Sequence, residues 1–324
     1  MDVTGLWTLQ CMMFFLVAFG AVLAKKGIIK AEGRNVITDL VLYGFLPCNI
    51  INSFRMEVNG GILKSFALIL VISVILQAFS YVLSRVLYNK KPDGIKRVLQ
   101  YCTIVSNTGF LGLPLAEGVF GAEGMMYASI FIIPMRIMMW SAGIACFTDT
   151  PDMKSVLKKI ALHPCIIAVY IGLFLMFFRE PMGLAYEAVL ACPVPAVGSV
   201  TKMLVTALDK AVRSAGSCTT ASTMLLIGTM LADVKPRDMM NGDVVLISAV
   251  RLGLLPLVML IGYRGFGLDP LIGGVCILMS GMPAGSTSAI LAAKYGCDYV
   301  FATKCVVVST LLSMVTIPLW CMAL

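Results

Sequence analysis

The stretch that decides the fold is Ser106 to Pro114, SNTGFLGLP, which lies inside a long apolar run from about 97 to 120. An uninterrupted membrane helix would not be written this way. Pro114 lacks a backbone donor and crowds the carbonyl one turn back, and each interior glycine costs about 1 kcal/mol relative to alanine. In a bilayer the backbone groups freed by a break have no water to bond. A broken helix therefore survives only where protein or a hydrated cavity covers it. A second stretch of the same kind runs from Ser280 to Ser288, SGMPAGSTS.

Working outward, the chain around these stretches is apolar. Of 324 residues, 59% are hydrophobic and 13% charged, with a mean hydropathy of +0.94, against roughly 45–50% apolar content in soluble domains. This composition describes an all-α polytopic membrane protein. The longest polar intervals, such as 85–97 and 148–160, are too short for soluble domains. With a single histidine, no HExxH and no paired-aspartate motif, an enzyme is not expected, and neither is a metal site or a cofactor. The eleven cysteines are scattered without a CxxC pair, as small hydrophobes rather than disulfides or zinc ligands. The net charge of +8 comes from basic residues in short loops, which points to membrane orientation and lipid contact rather than to nucleic acid. Residues 1–5, MDVTG, carry no basic residue, so the first apolar run reads as a retained helix and not a signal peptide.

Taking ~20 apolar residues per span, the sequence divides into ten segments, at about 7–24, 36–54, 64–87, 97–120, 124–147, 161–178, 214–232, 244–263, 270–295 and 298–323. Fifteen basic residues fall in the loops of one side, among them Lys25, Arg34, Lys90, Arg97, Lys154 and Lys235, against seven on the other. The positive-inside rule then puts both termini outside a cell (plasma or inner) membrane and the loop 148–160 in the cytoplasm. That loop divides the chain into repeats of five spans, 1–150 and 151–324. An odd number of spans makes the second repeat enter the membrane inverted. Pro114 breaks segment four and Pro283 breaks segment nine, corresponding positions in the two halves. Paired interruptions are a pointer to a transporter's binding site. Between segments six and seven, the apolar residues Val200, Met203, Leu204, Ala207, Leu208, Ala211 and Val212 recur at helical spacing. They describe either an amphipathic helix on the outer surface or the start of one long, tilted segment seven, entered after a turn at Pro193 and Pro195.

Segment four, NTGFLGLPLAEGVFG, and segment nine, MPAGSTSAILAAKYG, resemble the two crossover motifs of the auxin efflux carrier family, whose bacterial members transport small organic anions. The resemblance covers essentially the whole chain. It implies a fold shared with bile acid sodium symporters. Segments 1, 2, 6 and 7 (about 7–54 and 161–232) would form a scaffold, and segments 3–5 and 8–10 (about 64–147 and 244–323) a moving transport domain. The broken crossover helices 4 and 9 would cross in an X, and a homodimer would form through scaffold helices. The family's polar residue at the first crossover maps onto Asn107 and its prolines onto Pro114 and Pro283. The short central loop departs from the long hydrophilic loop of the plant carriers.

The residues also carry their own chemistry. A half-helix that starts at a break exposes unpaired N–H groups and behaves like roughly half a positive charge, which suits a carboxylate. Asn107 and Thr108 beside Gly109 in segment four, and Ser286, Thr287 and Ser288 after Ala284 and Gly285 in segment nine, add side-chain donors. Each taken singly is equally an interhelical hydrogen-bonding group. Arg136, in IFIIPMRIMMW, lies about twelve residues, or roughly 18 Å, from either end of its segment and cannot reach the headgroups. A central arginine costs ~2.5–3.5 kcal/mol and needs a partner, either an anionic substrate or Glu117 and the carbonyls at the break. Arg251 and Lys304, nearer the cytoplasmic ends of their segments, are expected to snorkel. His163 reads as a helix start before Pro164. Asn49 and Asn52 either line the substrate path or bond neighbouring helices.

The function expected is a secondary transporter of a small organic anion, a mono- or dicarboxylate, working by elevator-type alternating access. The coupling ion, H+ or Na+, is open, because no cluster of intramembrane carboxylates marks a site. The alternatives are a non-transporting sensor of the same ligand and a sodium-coupled symporter of the bile acid type.

Overall fold

The computed structural model of the chain describes residues 3–55, 60–147, 161–179, 195–232 and 239–323, together with 154, 158 and 182. Most of the central loop 148–160, the turn at Pro193, and Lys235 and Arg237 lie outside the described residues.

Apolar runs become helices throughout, and where a run carries Leu-Pro the helix is distorted in one particular way. Helices α2 (Ala31–Leu40) and α3 (Leu46–Ser53) are joined by a π-turn at Val41–Phe45, two residues before Pro47. A π-turn at Thr108–Gly112 ends two residues before Pro114, and one at Val250–Leu254 ends two residues before Pro256. Proline cannot donate to the carbonyl four residues back, and its ring collides with that carbonyl. The wider π-turn carries the carbonyl aside and keeps the helix continuous. At Pro256 the carbonyl four residues back is Leu252, and it accepts a hydrogen bond from Trp320 Nε1 at 2.6 Å.

The remaining elements are α1 (Val3–Lys25), α4 (Gly60–Leu87), α5 (Asp93–Ile104), α6 (Leu113–Met138), α7 (Pro164–Phe177) and α8 (Pro195–Leu231). After these come α9 (Gly242–Ala249), α10 (Leu255–Phe266), α11 (Pro270–Ser280), α12 (Thr287–Lys294) and α13 (Tyr299–Met322). A further π-turn, Met139–Gly143, continues α6. Within α6 the backbone leaves helical geometry at Gly121, with φ 69° and ψ −162°, so 113–120 and 122–138 are separate arms. Only glycine takes that φ without strain. The bend falls between the segments expected at 97–120 and 124–147. Among the described residues, five stretches are long and apolar enough to cross a membrane: Glu32–Ser53, Gly61–Leu87, Thr108–Met138 with its bend at Gly121, Gly242–Phe266 and Tyr299–Met322. Shorter apolar stretches among the described residues are Cys11–Lys25 within α1, Pro164–Phe177 and Pro270–Ser280.

One alternative is resolved. Val200 to Arg213 is not a separate surface helix, because it lies inside α8, a single helix of 37 residues, about 55 Å at 1.5 Å per residue. On its polar face Asp209 pairs with both Arg55 and Arg213.

Helix packing falls into two groups. In one, α1 lies along α8, and α8 and α7 both pack on α3. The α1–α8 seam is made by glycine: a Cβ on Gly20 would strike the Leu225 carbonyl, and one on Gly228 the Val17 carbonyl. Small residues at such a seam let backbones approach where lipid offers no hydrophobic drive. In the other group, α4 packs on α5 and α6, α6 on α11, α11 on α10, and α9 and α12 on α13. A polar contact joins the groups where α3 meets α6: Asn49 Nδ2 donates to Glu117 Oε2 at 2.7 Å.

Candidate functional site at the helix crossing

The two breaks touch each other. Ser106 and Ala284 form an isolated antiparallel bridge. Beside it Asn107 N–H donates to the Pro283 carbonyl at 2.8 Å and Gly285 N–H to the Val105 carbonyl at 3.0 Å. Each break thus supplies backbone partners that the other lost, which meets the requirement that buried peptide groups be paired. Glycine lets the strands come this close. A Cβ at Gly112 would lie 3.0 Å from Met279 Sδ, and one at Gly285 would lie 3.1 Å from Val105 Cγ1.

The crossing has two chemically opposite sides. On one, α5 and α11 end in carbonyls. On the other, the half-helices beginning at Thr108 and Thr287 present their first N–H groups. Leu111 N–H already reaches the Asn107 carbonyl at 3.0 Å, which leaves the amides of Thr108, Gly109 and Phe110 without an intrahelical acceptor. Against this N–H side lies a small recess of about 30 Å³ lined by Ser106, Asn107, Gly109, Arg136, Gly285, Ser286 and Thr287, among others. It shares Phe110, Arg136, Met139, Ser286 and Thr287 with a larger cavity of about 540 Å³. That volume is in the range of small-molecule sites. The cavity extends to Arg34, Asn35, Thr38 and Tyr43 at the start of the second segment and to His163 and Pro164 at the start of α7. No Asp or Glu stands among its described lining residues.

Arg136 is the cavity's central charge. It is 8% exposed, and its Nη2 lies so near Gly109 that a Cβ there would be 2.6 Å away. Its partners are neutral. Nη1 bonds His163 Nε2 at 2.9 Å, Nη2 reaches Cys165 Sγ at 4.0 Å, and the buried Nε has no partner among the described residues. His163 is doubly sought. It caps α7, with Nδ1 at 3.3 Å from the Cys165 N–H, while Arg136 approaches Nε2. A neutral imidazole has one acceptor nitrogen, so only one of these donors can be satisfied. Glu117, considered above as a partner for Arg136, bonds Asn49 instead.

Of the residues expected at the site, Asn107, Gly109, Arg136, Gly285, Ser286 and Thr287 come together at the recess. The others do not line it. Thr108 is buried with its hydroxyl unpartnered among the described residues, and Pro114 is buried within α6. The Pro283 carbonyl and the Ala284 N–H, which donates to Ser309 Oγ at 3.1 Å, are used inside the crossing. Ser288 turns inward and donates to the Gly285 carbonyl at 2.8 Å. Asn49 and Asn52 bond neighbouring helices, Asn52 through Nδ2 to the Val212 carbonyl at 3.2 Å. The snorkelling expected of Arg251 is overturned. It is 3% exposed and bonds carbonyls at the crossing, because α9 and its π-turn pack against α13 inside the bundle and hold the side chain away from any interface. Sequence reasoning also missed Tyr101, whose hydroxyl lies 2.8 Å from Thr287 Oγ1, and Phe110 and His163. Tyr101 lies within a turn and a half of the break, and that position was its only signal.

An all-helical, strongly apolar chain whose centre is a pair of broken helices crossing beside a cavity defines a multi-pass membrane protein of the transporter class. The chain belongs to the membrane transport protein family, the auxin efflux carrier family that its two motifs resemble, whose sequence model matches residues 9–154 and 150–321. It is similar to an uncharacterized transporter of Methanothermobacter thermautotrophicus, with 24% identity over 320 residues and 95% of both chains covered. Another uncharacterized transporter, from Methanocaldococcus jannaschii, is 23% identical over 319 residues, again with 95% of both covered.

Proposed function

We propose that this transporter is a secondary carrier of a small organic anion, a mono- or dicarboxylate, bound at the N–H side of the crossing. The observation that carries the reading is Arg136, a buried guanidinium on a cavity wall with neutral partners and no carboxylate among the cavity's described lining. A carboxylate entering the recess would meet Arg136, the amides at the start of the second half-helix of segment four, and the hydroxyls of Ser286 and Thr287. It would complete the hydrogen bonding that His163 cannot supply. Asn107 and Gly109 would flank it.

In this reading the ten segments span a cell membrane as two inverted repeats with both termini outside. The group of α1, α2–α3, α7 and α8 is the fixed scaffold, dimerising with its copy. The group of α4–α6 and α9–α13 carries the crossing past it as an elevator. The separation of helix packing into those two groups supports this division, and with Arg34 on the cytoplasmic side the cavity running between them would belong to an inward-facing state.

The test is a thermal-shift screen of purified protein against monocarboxylates, dicarboxylates and amino acids, followed by uptake into proteoliposomes. Carboxylates should stabilise the wild type and be transported. Arg136→Gln should weaken binding by about 10- to 100-fold, from loss of charge-assisted bonds worth ~1.5–3 kcal/mol. Wild-type carboxylate affinity in Arg136→Gln, or stabilisation by cations or neutral sugars alone, would refute the anion reading.

A further inference from the structure

The carbonyl side of the crossing holds a charge that the anion reading does not use. Arg251, from the π-turn between α9 and α10, inserts its guanidinium between the C-terminal ends of α5 and α11. Nη1 donates to the Thr103 carbonyl at 3.0 Å. Nη2 donates to the carbonyls of Met282 at 2.9 Å and Ser280 at 3.4 Å, and Nε to that of Met282 at 3.2 Å. The last carbonyls of a helix have no intrahelical donor and together carry about half a negative charge. Two such ends converge here, so the cluster attracts a cation strongly. In broken-helix transporters, carbonyls at half-helix C-terminal ends are the groups that coordinate a coupling sodium ion.

We infer that Arg251 is the resident cation of this crossing: its guanidinium takes the carbonyls a sodium ion would need, and the protein binds no sodium there. The surroundings agree. Arg251 is 3% exposed, and its guanidinium lies between the two ends, in contact with carbonyls of both. The donor set does not fit sodium, since Thr103, Ser280 and Met282 already accept from Arg251. A covalently attached cation stays with the crossing through every conformation, which an exchangeable ion does not. Where the transport reading holds, a sodium gradient would not drive uptake through this site. The assignment of Arg251 itself stands on the carbonyl contacts and is independent of that reading.

The experiment reads thermal stability of the purified protein, so it is decided whether or not any carboxylate is transported. Wild type is melted in sodium, potassium and choline chloride at equal ionic strength. Arg251→Met and Arg251→Lys are melted beside it, with and without low-millimolar guanidinium. Wild-type melting should not depend on the cation. Arg251→Met should melt lower on the order of 10 °C, because two carbonyl ends lose the charge that Arg251 supplies, and guanidinium should recover part of that loss while leaving wild type unchanged. Arg251→Lys, with one compact charge, should fall between, and it remains informative if Arg251→Met does not fold. A saturable rise in wild-type melting with sodium would overturn the inference, as would an Arg251→Lys protein that melts no higher than Arg251→Met, or an Arg251→Met protein that melts with wild type.

Discussion

Gly109→Ala perturbs the proposed anion site through a single methyl group. Built on the present backbone, that methyl lies 2.6 Å from Arg136 Nη2, 3.6 Å from Cζ and 3.9 Å from Ile132 Cδ1. Ordinary contact begins at 3.4 Å, so the Nη2 end must retreat by the difference, 0.8 Å. The obstacle is the end of a flexible side chain, not backbone, and Gly109 is not among the glycines of positive φ. The helix can therefore accept alanine. In helical backbone alanine is in general no more costly than glycine. Folding stability should change by less than ~1 kcal/mol, while the guanidinium is displaced by enough to break one of two parallel N–H···O bonds to a carboxylate. At ~1.5 kcal/mol for such a bond, the dissociation constant should rise about tenfold. The assay pairs calorimetric titration with the best carboxylate from the screen against thermal melting without ligand. Unchanged affinity would mean that Arg136 does not hold the substrate. A large fall in stability, in parallel with lost binding, would mean that the Gly109 contact is packing and not positioning.

Three further outcomes follow from the packing. Glu117→Ala leaves Asn49 Nδ2 without its acceptor, a cost of about 1–3 kcal/mol, whereas Glu117→Gln keeps an acceptor oxygen and should melt closer to wild type in a thermal scan. Gly228→Leu drives a side chain into the Val17 carbonyl at the α1–α8 seam, and with backbone as the obstacle it should cost more than ~3 kcal/mol and reduce the monodisperse peak in size-exclusion chromatography. Trp320→Phe strands the Leu252 carbonyl that Pro256 had freed, and should lower stability by about 1–2 kcal/mol in a chemical-denaturation series.

Much of the architecture was legible because it is carried by period and punctuation along the chain. Apolar runs gave the helices, and SNTGFLGLP and SGMPAGSTS gave the two breaks. Gly121 was not singled out, yet it divides segments four and five where the hydropathy dips. Surface habit was harder to read: Val200 to Arg213 has an amphipathic pattern, but nothing local shows that the same helix continues past Arg213 to Leu231. What failed to show was long-range partnership. The pairing of Arg136 with His163 joins α6 to the start of α7 across 27 residues, and that of Arg251 with Thr103 spans 148. Neither leaves a spacing signal. The same limit applied to the asparagines and to Glu117. Their residue types announced hydrogen bonding, and only the helix packing decided that Asn49 and Glu117 satisfy each other.

The two buried arginines are best understood by the sign of the helix ends they face. Arg251 meets carbonyl ends, where its positive charge is compensated by the local dipoles and by the hydrogen bonds it donates to three carbonyls. Arg136 faces the opposite side, where the half-helix starts at Thr108 and Thr287 are themselves positive and where its neighbours are a neutral histidine and a thiol. Stability alone does not favour that placement, since an unpaired buried charge costs several kcal/mol. A bound anion would offset it and would be attracted by both half-helix starts as well as by the guanidinium. Cations would meet the opposite field at the recess and, at the carbonyl ends, a guanidinium already in place. On the proposed reading the same crossing would disfavour a cation on both of its sides, so the backbone supports an anionic cargo as much as any one side chain does.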